Sequence, residues 1–142
     1  MQTLMRPTFA LLLAIGTAGV MQAQTNGYVE TLMGRRRPIH EIDSRIISMR
    51  NAAERIAINS VVQGSAADLI KIAMNNVHAR LKREKRPSRM LLQVHDELVF
   101  ETPHDAVEAD AKIIREEMTS AMKLRVPLKV EVGWAKNWQE VK

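Results

Sequence analysis

The sequence predicts an α+β fold, with helices packed on one face of an antiparallel three-stranded sheet. Apolar residues recur at helical spacing in two stretches, residues 44–85 and 102–122. Two β-prone segments, residues 88–94 and 98–101, are separated by a short acidic bend, so we expect them to pair as a hairpin. A third segment that alternates in polarity, residues 127–132, completes the predicted sheet.

The first 24 residues resemble a secretory signal peptide. One positive charge, Arg6, precedes the uncharged apolar run Phe9–Val20, and the small residue Ala23 offers a cleavage point. The run is too short to span a bilayer comfortably, so we expect no membrane segment in the mature protein. The alternative is a spurious apolar leader joined to an unrelated reading frame. In both cases residues 1–24 are predicted to be a leader and residues 25–142 the folded domain.

A basic turn follows the leader. Residues 28–32 alternate in polarity and predict a short strand, which Gly34 ends. Arg35, Arg36 and Arg37 then predict a turn of strong positive potential, suited to a phosphate group. A solvated basic turn is the alternative, and it is the commoner case in proteins.

Two helices are predicted next, one starting near Ser44 and one running from about Ser60 to Lys85. Gly64 and Ser65 weaken the second helix and allow a bend there. Basic residues and then Pro87 mark its end. The apolar positions are Ile46, Met49, Ala53, Ile56 and Ala57 in the first helix and Val62, Ala66, Leu69, Ile70, Ala73, Val77 and Leu81 in the second.

Arg55, Asn59 and Gln63 are spaced four residues apart, and we call them the donor ridge. If the helix continues through Ser60, the three side chains share one face. All three donate hydrogen bonds, and the DNA minor groove presents acceptors in a nearly sequence-independent pattern. The donor ridge therefore predicts a surface that follows a duplex without reading its sequence, with an ordinary solvated helix face as the alternative.

The acidic bend, His95-Asp96-Glu97, lies between the two β-prone segments. A carboxylate held at the bend of a hairpin can bind Mg²⁺, which usually takes one or two carboxylates together with substrate phosphates. The bend therefore indicates phosphoryl chemistry, unless it is an ordinary hairpin whose acids face water. Because neighbouring residues of a strand point to opposite faces, Asp96 and Glu97 need not bind one ion together.

A third helix is predicted after Thr102, which can cap it, with Pro103 in its first turn. Its buried positions are predicted to be Val107, Ala111, Ile114, Met118, Ala121 and Met122.

The composition is that of an ordinary globular protein, with 46% hydrophobic and 26% charged residues, which excludes a disordered tail. The net charge of +5 fits a polyanionic partner such as nucleic acid without proving one. The absence of cysteine excludes disulfides and thiolate metal sites. Four histidines without paired spacing disfavour a zinc site.

Taken together, several motifs in this order resemble the C-terminal palm segment of the family-A DNA polymerases, the bacterial DNA polymerase I group, over about residues 27–142. The motifs are Gly27–Leu32 with Gly34–Arg37, Ala53–Arg55 through Ile58–Asn59, Gln63–Asp68, Gln93–Glu101, and Val126–Leu128 with Gly133–Trp134 and Asn137–Trp138. One departure is Val61, where many relatives have proline.

The resemblance implies template-dependent extension of a DNA primer, with deoxynucleoside triphosphates and two Mg²⁺ ions. It implies that Asp96 is a metal ligand, that Glu97 supports the metal site or the primer end, and that His95 lies near the primer terminus. It also implies that the donor ridge touches the primer–template duplex. Such a protein is expected in the cytoplasm, whereas the leader would argue for export if it is real.

Several family parts have no counterpart in the sequence: the Asp-Tyr-Ser-Gln-like strand with the first metal-binding aspartate, the fingers helix, the thumb and the exonuclease. A two-metal phosphoryl transfer needs carboxylates on both sides of the ions. We therefore expect a polymerase fragment that binds Mg²⁺ weakly and is inactive alone, unless another chain supplies the missing half. The alternative is a non-catalytic remnant or subunit that binds duplex nucleic acid. The missing strand is expected to leave an unpaired edge in the sheet.

Overall fold

The computed structural model describes residues 2–8, 13–125 and 127–141, with side chains described from residue 18 onward. In chain order the elements are β1 (Gln2–Thr8), α1 (Leu13–Asn26), β2 (Tyr28–Glu30), β3 (Arg36–Pro38), α2 (Ile47–Arg83), β4 (Arg89–Val94), β5 (Glu97–Glu101), α3 (Val107–Thr119) and β6 (Lys129–Ala135), with 3₁₀ turns at His104–Ala106 and Trp138–Glu140. The chain divides into two compact units, the sheet unit (Met1–Phe9 with Leu69–Lys142) and the helical unit (Ala10–Asp68).

The sheet unit is built on a four-stranded antiparallel sheet with the strand order β4-β5-β1-β6. Leu98 and Phe100 lie two residues apart on β5, so they share one face, and both are fully buried. The second half of α2 and the whole of α3 pack against this face. The core cluster comprises Ile70, Ala73, Val77, Leu81, Leu98, Phe100, Ala111, Ile114 and Met118. The predicted α+β class, with helices on one face of the sheet, is therefore confirmed.

The sheet has four strands, and the prediction of three was incomplete. The additional strand is β1, which the sequence placed in the leader, and it pairs with β5 on one side and β6 on the other. An empty position between β5 and β6 would leave two rows of backbone N–H and C=O groups unpaired, and an extended segment of the same chain satisfies both. The expected unpaired edge is thus occupied. Residues 9–12 of the leader's apolar run lie outside the described residues, and the division at residue 24 stays a prediction.

The helical unit consists of α1, the β2–β3 hairpin and the first part of α2. Its buried cluster comprises Ala23, Val29, Ile39, Ile42, Ala53, Ala57 and Val61. Alanines therefore form most of the buried face of α2 in this unit. Three residues of the apolar stripe predicted for the first helix, Ile46, Met49 and Ile56, lie outside this cluster, and their side chains are 58%, 38% and 43% exposed.

The two predicted helices are one continuous α2 of 37 residues. Gly64 lies inside this helix, at the point where the turn between β2 and β3 approaches α2 closely. A Cβ atom at Gly64 would lie 2.6 Å from Thr31 Cγ2. Ser65 Oγ donates to Val61 O at 2.6 Å and accepts from the Leu32 N–H at 2.9 Å, so this hydroxyl joins the turn to the helix. The missing side chain of Gly64 therefore makes room for the β2–β3 turn, and the glycine does not mark the end of a helix.

Thr102 does not cap the third helix, contrary to expectation. The residue before α3 is Ala106, which makes no side-chain capping bond, and a 3₁₀ turn precedes it. Thr102 is 2% exposed, and its Oγ1 lies 2.9 Å from Ser88 Oγ. A buried hydroxyl needs a hydrogen-bond partner, and Thr102 finds it across the hairpin instead of in the helix. Of the predicted buried positions in α3, Val107, Ala111, Ile114 and Met118 are buried, whereas Ala121 and Met122 follow the helix and are partly exposed.

Among the helices described, none combines the length and the apolar character that a membrane crossing would require.

Candidate functional site

The acidic bend is a two-residue turn that joins β4 to β5. Val94 pairs with Glu97, which leaves His95 and Asp96 as the central residues. His95, the first central residue of the turn, has a φ of 54° and so lies in the left-handed region. The Gln93 side chain donates to His95 O at 2.9 Å and supports the turn. A non-glycine residue held at positive φ costs about 1–3 kcal/mol, and such strain is concentrated at functional sites.

The acidic bend provides only part of a metal site. His95 and Asp96 are exposed, and Glu97 is half-buried. Within the described part of the chain, no group of three or more His, Cys, Asp or Glu side chains could hold a metal ion. Two-metal chemistry requires carboxylates on both sides of the ions. The described residues therefore do not fit a complete two-metal site, although Asp96 is a suitable single ligand for Mg²⁺.

The three arginines of the predicted basic turn have different roles. Arg35 donates from Nε to Asp68 Oδ1 and from Nη2 to Gly64 O, both at 3.0 Å, so it fixes the turn to α2. Arg36 donates to Glu30 Oε1 at 2.7 Å and lies 4.7 Å from the centroid of the Tyr28 ring. The hydrogen bond to Glu30 raises the pKa of Arg36 above its ordinary value.

Arg37 is exposed, and it makes no ion pair or side-chain hydrogen bond with another described residue. The prediction of one arginine turn is therefore corrected, since Arg36 and Arg37 belong to β3 and the turn lies before them. Two of the three guanidinium groups hold the hairpin in place. Arg37 is the arginine of this segment that is best able to meet a phosphate.

The donor ridge lies on one face of α2, because the helix continues unbroken through Ser60. Arg55, Asn59 and Gln63 are all exposed, and none has a side-chain hydrogen bond to another described residue. Gln63 also lines a small cavity of about 80 Å³. The other lining residues are Val29, Thr31, Arg35, Arg36, Arg37, Ser60 and Gly64. The ridge and the arginine segment thus meet at Gln63.

The acidic bend belongs to the sheet unit, whereas the donor ridge and the arginines belong to the helical unit. Each group is described within its own unit. The expectation that Asp96 and the donor ridge act on the same duplex stays a prediction. The catalytic role of the acidic bend and the DNA-contacting role of the donor ridge also stay predictions.

The sequence analysis missed a buried acid, Asp110, whose role is structural. Asp110 is fully buried and accepts hydrogen bonds from Arg86 Nε and from Ser88 Oγ. A signal was present in the sequence, because Asp110 falls three residues after Val107 and four before Ile114, on the apolar face of α3. An acid at such a position has to be paired, and basic residues surround Pro87.

A second ionic group joins α2 to α3 within the sheet unit. Arg80 donates to Glu84 at 2.9 Å, Glu116 at 2.9 Å and Glu117 at 3.1 Å. The hydrogen bond to Glu84 makes the largest contribution to raising the pKa of Arg80, and the same bond holds the pKa of Glu84 below its ordinary value.

The chain is similar to known proteins in both sequence and structure. The sequence profile described as DNA polymerase family A matches residues 14–140. DNA polymerase I of Bacillus caldotenax is 47% identical to the chain over 123 residues, which are 87% of this chain and 14% of that protein. The thermostable DNA polymerase I of Thermus filiformis is 51% identical over 121 residues, which are 85% of this chain and 14% of that protein.

Among solved structures, the chain is similar to the POL domain of Pol1 from M. smegmatis in complex with DNA primer-template and dNTP. The TM-score is 0.82 at 46% sequence identity, covering 87% of this chain and 22% of that one. The chain therefore spans about 14% of the length of the curated relatives that it matches.

Proposed function

Because this chain belongs to DNA polymerase family A, we propose that it is the palm segment of a template-directed DNA polymerase and that it holds the primer–template duplex. The observation that carries this proposal is the donor ridge. Three exposed donors lie on one face of an unbroken helix, and the last of them shares a cavity with Arg37. Donors in this arrangement suit the acceptors of the minor groove, and Arg37 suits a neighbouring phosphate.

The chemical step is assigned to the acidic bend in combination with residues that the described part of the chain does not provide. Asp96 would hold one divalent cation, and Glu97 would support the metal site or the primer end. The incoming deoxynucleoside triphosphate would need cationic residues from outside residues 1–142, because the fingers helix of the family has no counterpart in these residues. We therefore propose that residues 1–142 bind duplex DNA without extending the primer, and that extension requires polymerase parts that these residues do not provide.

A second function, non-catalytic binding of duplex nucleic acid, is favoured by the incomplete set of acids among the described residues. Both functions require the same duplex-binding surface. Addition of the missing polymerase parts distinguishes them, because it should restore DNA synthesis under the first function and not under the second.

Fluorescence anisotropy with a labelled primer–template duplex tests the binding proposal. We expect affinity to fall steeply as salt rises, because bound phosphates release counterions. Arg37→Ala should reduce the slope of log K against log salt by about one unit. Asn59→Ala and Gln63→Ala should each weaken binding about 2- to 12-fold without changing that slope, because each removes a neutral hydrogen bond of about 0.5–1.5 kcal/mol.

Arg50→Ala is the matched control. Arg50 is an exposed arginine of the same helix, and it lies about 140° around the axis from Arg55. It should bind like the unmodified chain. Affinity that is independent of salt, or equal effects of Arg50→Ala and Arg37→Ala, would reject the proposed surface.

Primer extension with the purified chain, a primed template, deoxynucleoside triphosphates and Mg²⁺ tests the catalytic part. We expect no template-dependent incorporation. Incorporation by residues 1–142 alone would show that their acids suffice and would overturn the requirement for further polymerase parts.

A further inference from the structure

β1 is an internal strand of the sheet and lies outside the part of the chain that matches the polymerase family. It pairs with β5 from Gln2 opposite Glu101 to Met5 opposite Leu98, and with β6 over all seven of its residues. The family match begins only at residue 14. A segment outside the family match therefore completes a sheet whose other three strands lie within the match.

The register of β1 determines which residues approach the acidic bend. On the β6 side, Arg6 is opposite Glu131. On the β5 side, the antiparallel pairing runs to Met5 opposite Leu98, so one more step along the same register brings Arg6 opposite Glu97. The sequence of β1 is Gln-Thr-Leu-Met-Arg-Pro-Thr, and it contains no acidic residue. The strand beside the acidic bend thus contributes an arginine and a proline where a metal site would need a carboxylate.

We propose that Gln2–Thr8 is a substitute strand, which completes the sheet but brings no acid from the neighbouring strand to the acidic bend, whereas a two-metal site needs carboxylates on both sides of the ions. The backbone of β1 satisfies the facing edges of β5 and β6. Position 6, which this register places opposite Glu97, is an arginine and not an acid. The proposal concerns the sheet and the metal site, and it holds whether or not the helical unit binds DNA.

The structural half of the proposal is tested by hydrogen–deuterium exchange of the full chain. Amides in residues 2–8 should exchange at least about tenfold more slowly than in an unstructured peptide, because an internal strand is hydrogen bonded on both sides. Leu4→Pro removes one backbone donor from the middle of β1. It should accelerate exchange in β5 and β6, while β2 and β3 in the other unit serve as the internal control. Residues 2–8 exchanging at the unstructured rate, or unchanged β5 and β6 in Leu4→Pro, would overturn the proposal.

The chemical half is tested with Mn²⁺, whose free ion is measured directly by electron paramagnetic resonance. The unmodified full chain should bind Mn²⁺ weakly. Arg6→Asp places an acid at the register position opposite Glu97 and should tighten Mn²⁺ binding at least about tenfold, since affinity for hard cations rises with the number of charged oxygen ligands. Adding Glu97→Gln to this variant should abolish the gain, because residues directly opposite each other on paired strands share one face of the sheet.

Lys82→Asp is the control for charge alone. It makes the same change of charge on α2, where the exposed Lys82 lines a cavity with Arg89 and Met90 at the start of β4, and no described acid lines that cavity. We expect it to bind Mn²⁺ like the unmodified chain. If Arg6→Asp and Lys82→Asp gain equally, or if neither gains, the assigned register position is wrong. Neither outcome affects the duplex-binding result, so the two proposals fail independently.

Discussion

Replacement of Asp110 by alanine is expected to destabilise the sheet unit strongly, although Asp110 has no role in catalysis. The carboxylate is fully buried, and it accepts hydrogen bonds from Arg86 and Ser88. Each hydrogen bond to a charged group contributes about 1.5–3 kcal/mol. The loss is less than their sum for two reasons. The Arg86 side chain is 29% exposed and can hydrate. The Ser88 hydroxyl also retains Thr102, 2.9 Å away.

The expected decrease in the free energy of unfolding is therefore about 3 kcal/mol, near the lower end for breaking a buried ion pair. In a chain of this size, that corresponds to a fall of about 10 °C in the unfolding midpoint. Urea unfolding followed by circular dichroism at neutral pH measures it. Asp110→Asn should cost less than Asp110→Ala, because the amide oxygen still accepts a hydrogen bond.

The control is Glu108→Ala, which removes another acid from the first turn of α3. Glu108 is exposed, so this variant loses only the interaction with the helix dipole, about 0.3–1 kcal/mol. The combined variant Arg86→Ala with Asp110→Ala completes a double-mutant cycle, for which we expect a coupling energy of about 1–3 kcal/mol. Equal losses in Asp110→Ala and Glu108→Ala, or a coupling energy near zero, would refute the assignment of Asp110 as a buried structural partner.

Three further outcomes are expected. Gly64→Ala should lower the free energy of unfolding by about 1–3 kcal/mol, because its Cβ would lie 2.6 Å from Thr31 Cγ2, and a thermal unfolding curve unchanged by this substitution would contradict the close approach. Phe100→Ala should cost about 3–5 kcal/mol in urea unfolding, because Phe100 is fully buried in the core of the sheet unit, and a loss below 1 kcal/mol would contradict that burial. The pKa of Glu84 is lowered in the folded state from an ordinary value of 4.5, so the stabilisation that its charge provides is present above pH 4.5 and is lost as the pH falls through the lower folded pKa. A carboxyl titration by NMR should show the Glu84 midpoint rising in Arg80→Ala, and an unchanged midpoint would exclude Arg80 as the cause.

Local patterns were sufficient to predict most elements of the fold. The hairpin around the acidic bend follows from two β-prone segments and a link too short for anything but antiparallel pairing. The core face of α3 follows from helical spacing, with Val107, Ala111, Ile114 and Met118 buried as predicted. The family was also recognisable, because several separate motifs occur in a fixed order.

The errors arose where long-range contacts override local preference. The sequence around Gly64 predicts a weak point in a helix. In the structure a glycine is needed there because Thr31, 33 residues earlier in the sequence, approaches the helix closely. The three consecutive arginines predict one basic surface. In the structure, however, Arg35 pairs with Asp68 and Arg36 with Glu30, and spacing in the sequence does not reveal these ion pairs. β1 was missed because it directly precedes the apolar run Phe9–Val20, and the two segments together resemble a leader. Its partners lie about 90 and 130 residues away along the chain, and only the need to pair the sheet indicates its position.

The two proposed activities differ in how many distant segments they require. The duplex-binding surface comes from one helix and one adjoining hairpin, so its geometry is set by contacts within residues 28–68. A two-metal centre needs carboxylates on both sides of the ions, and the strand beside β5 in this sheet lies about 90 residues away along the chain. Replacing a single strand can therefore abolish the chemistry and leave the binding surface unaltered. Arg6→Asp separates the two activities experimentally, since it should change Mn²⁺ affinity without changing the affinity of the unmetallated chain for duplex DNA. A parallel change in both affinities would mean that β1 itself takes part in holding the duplex and that the two activities are not independent.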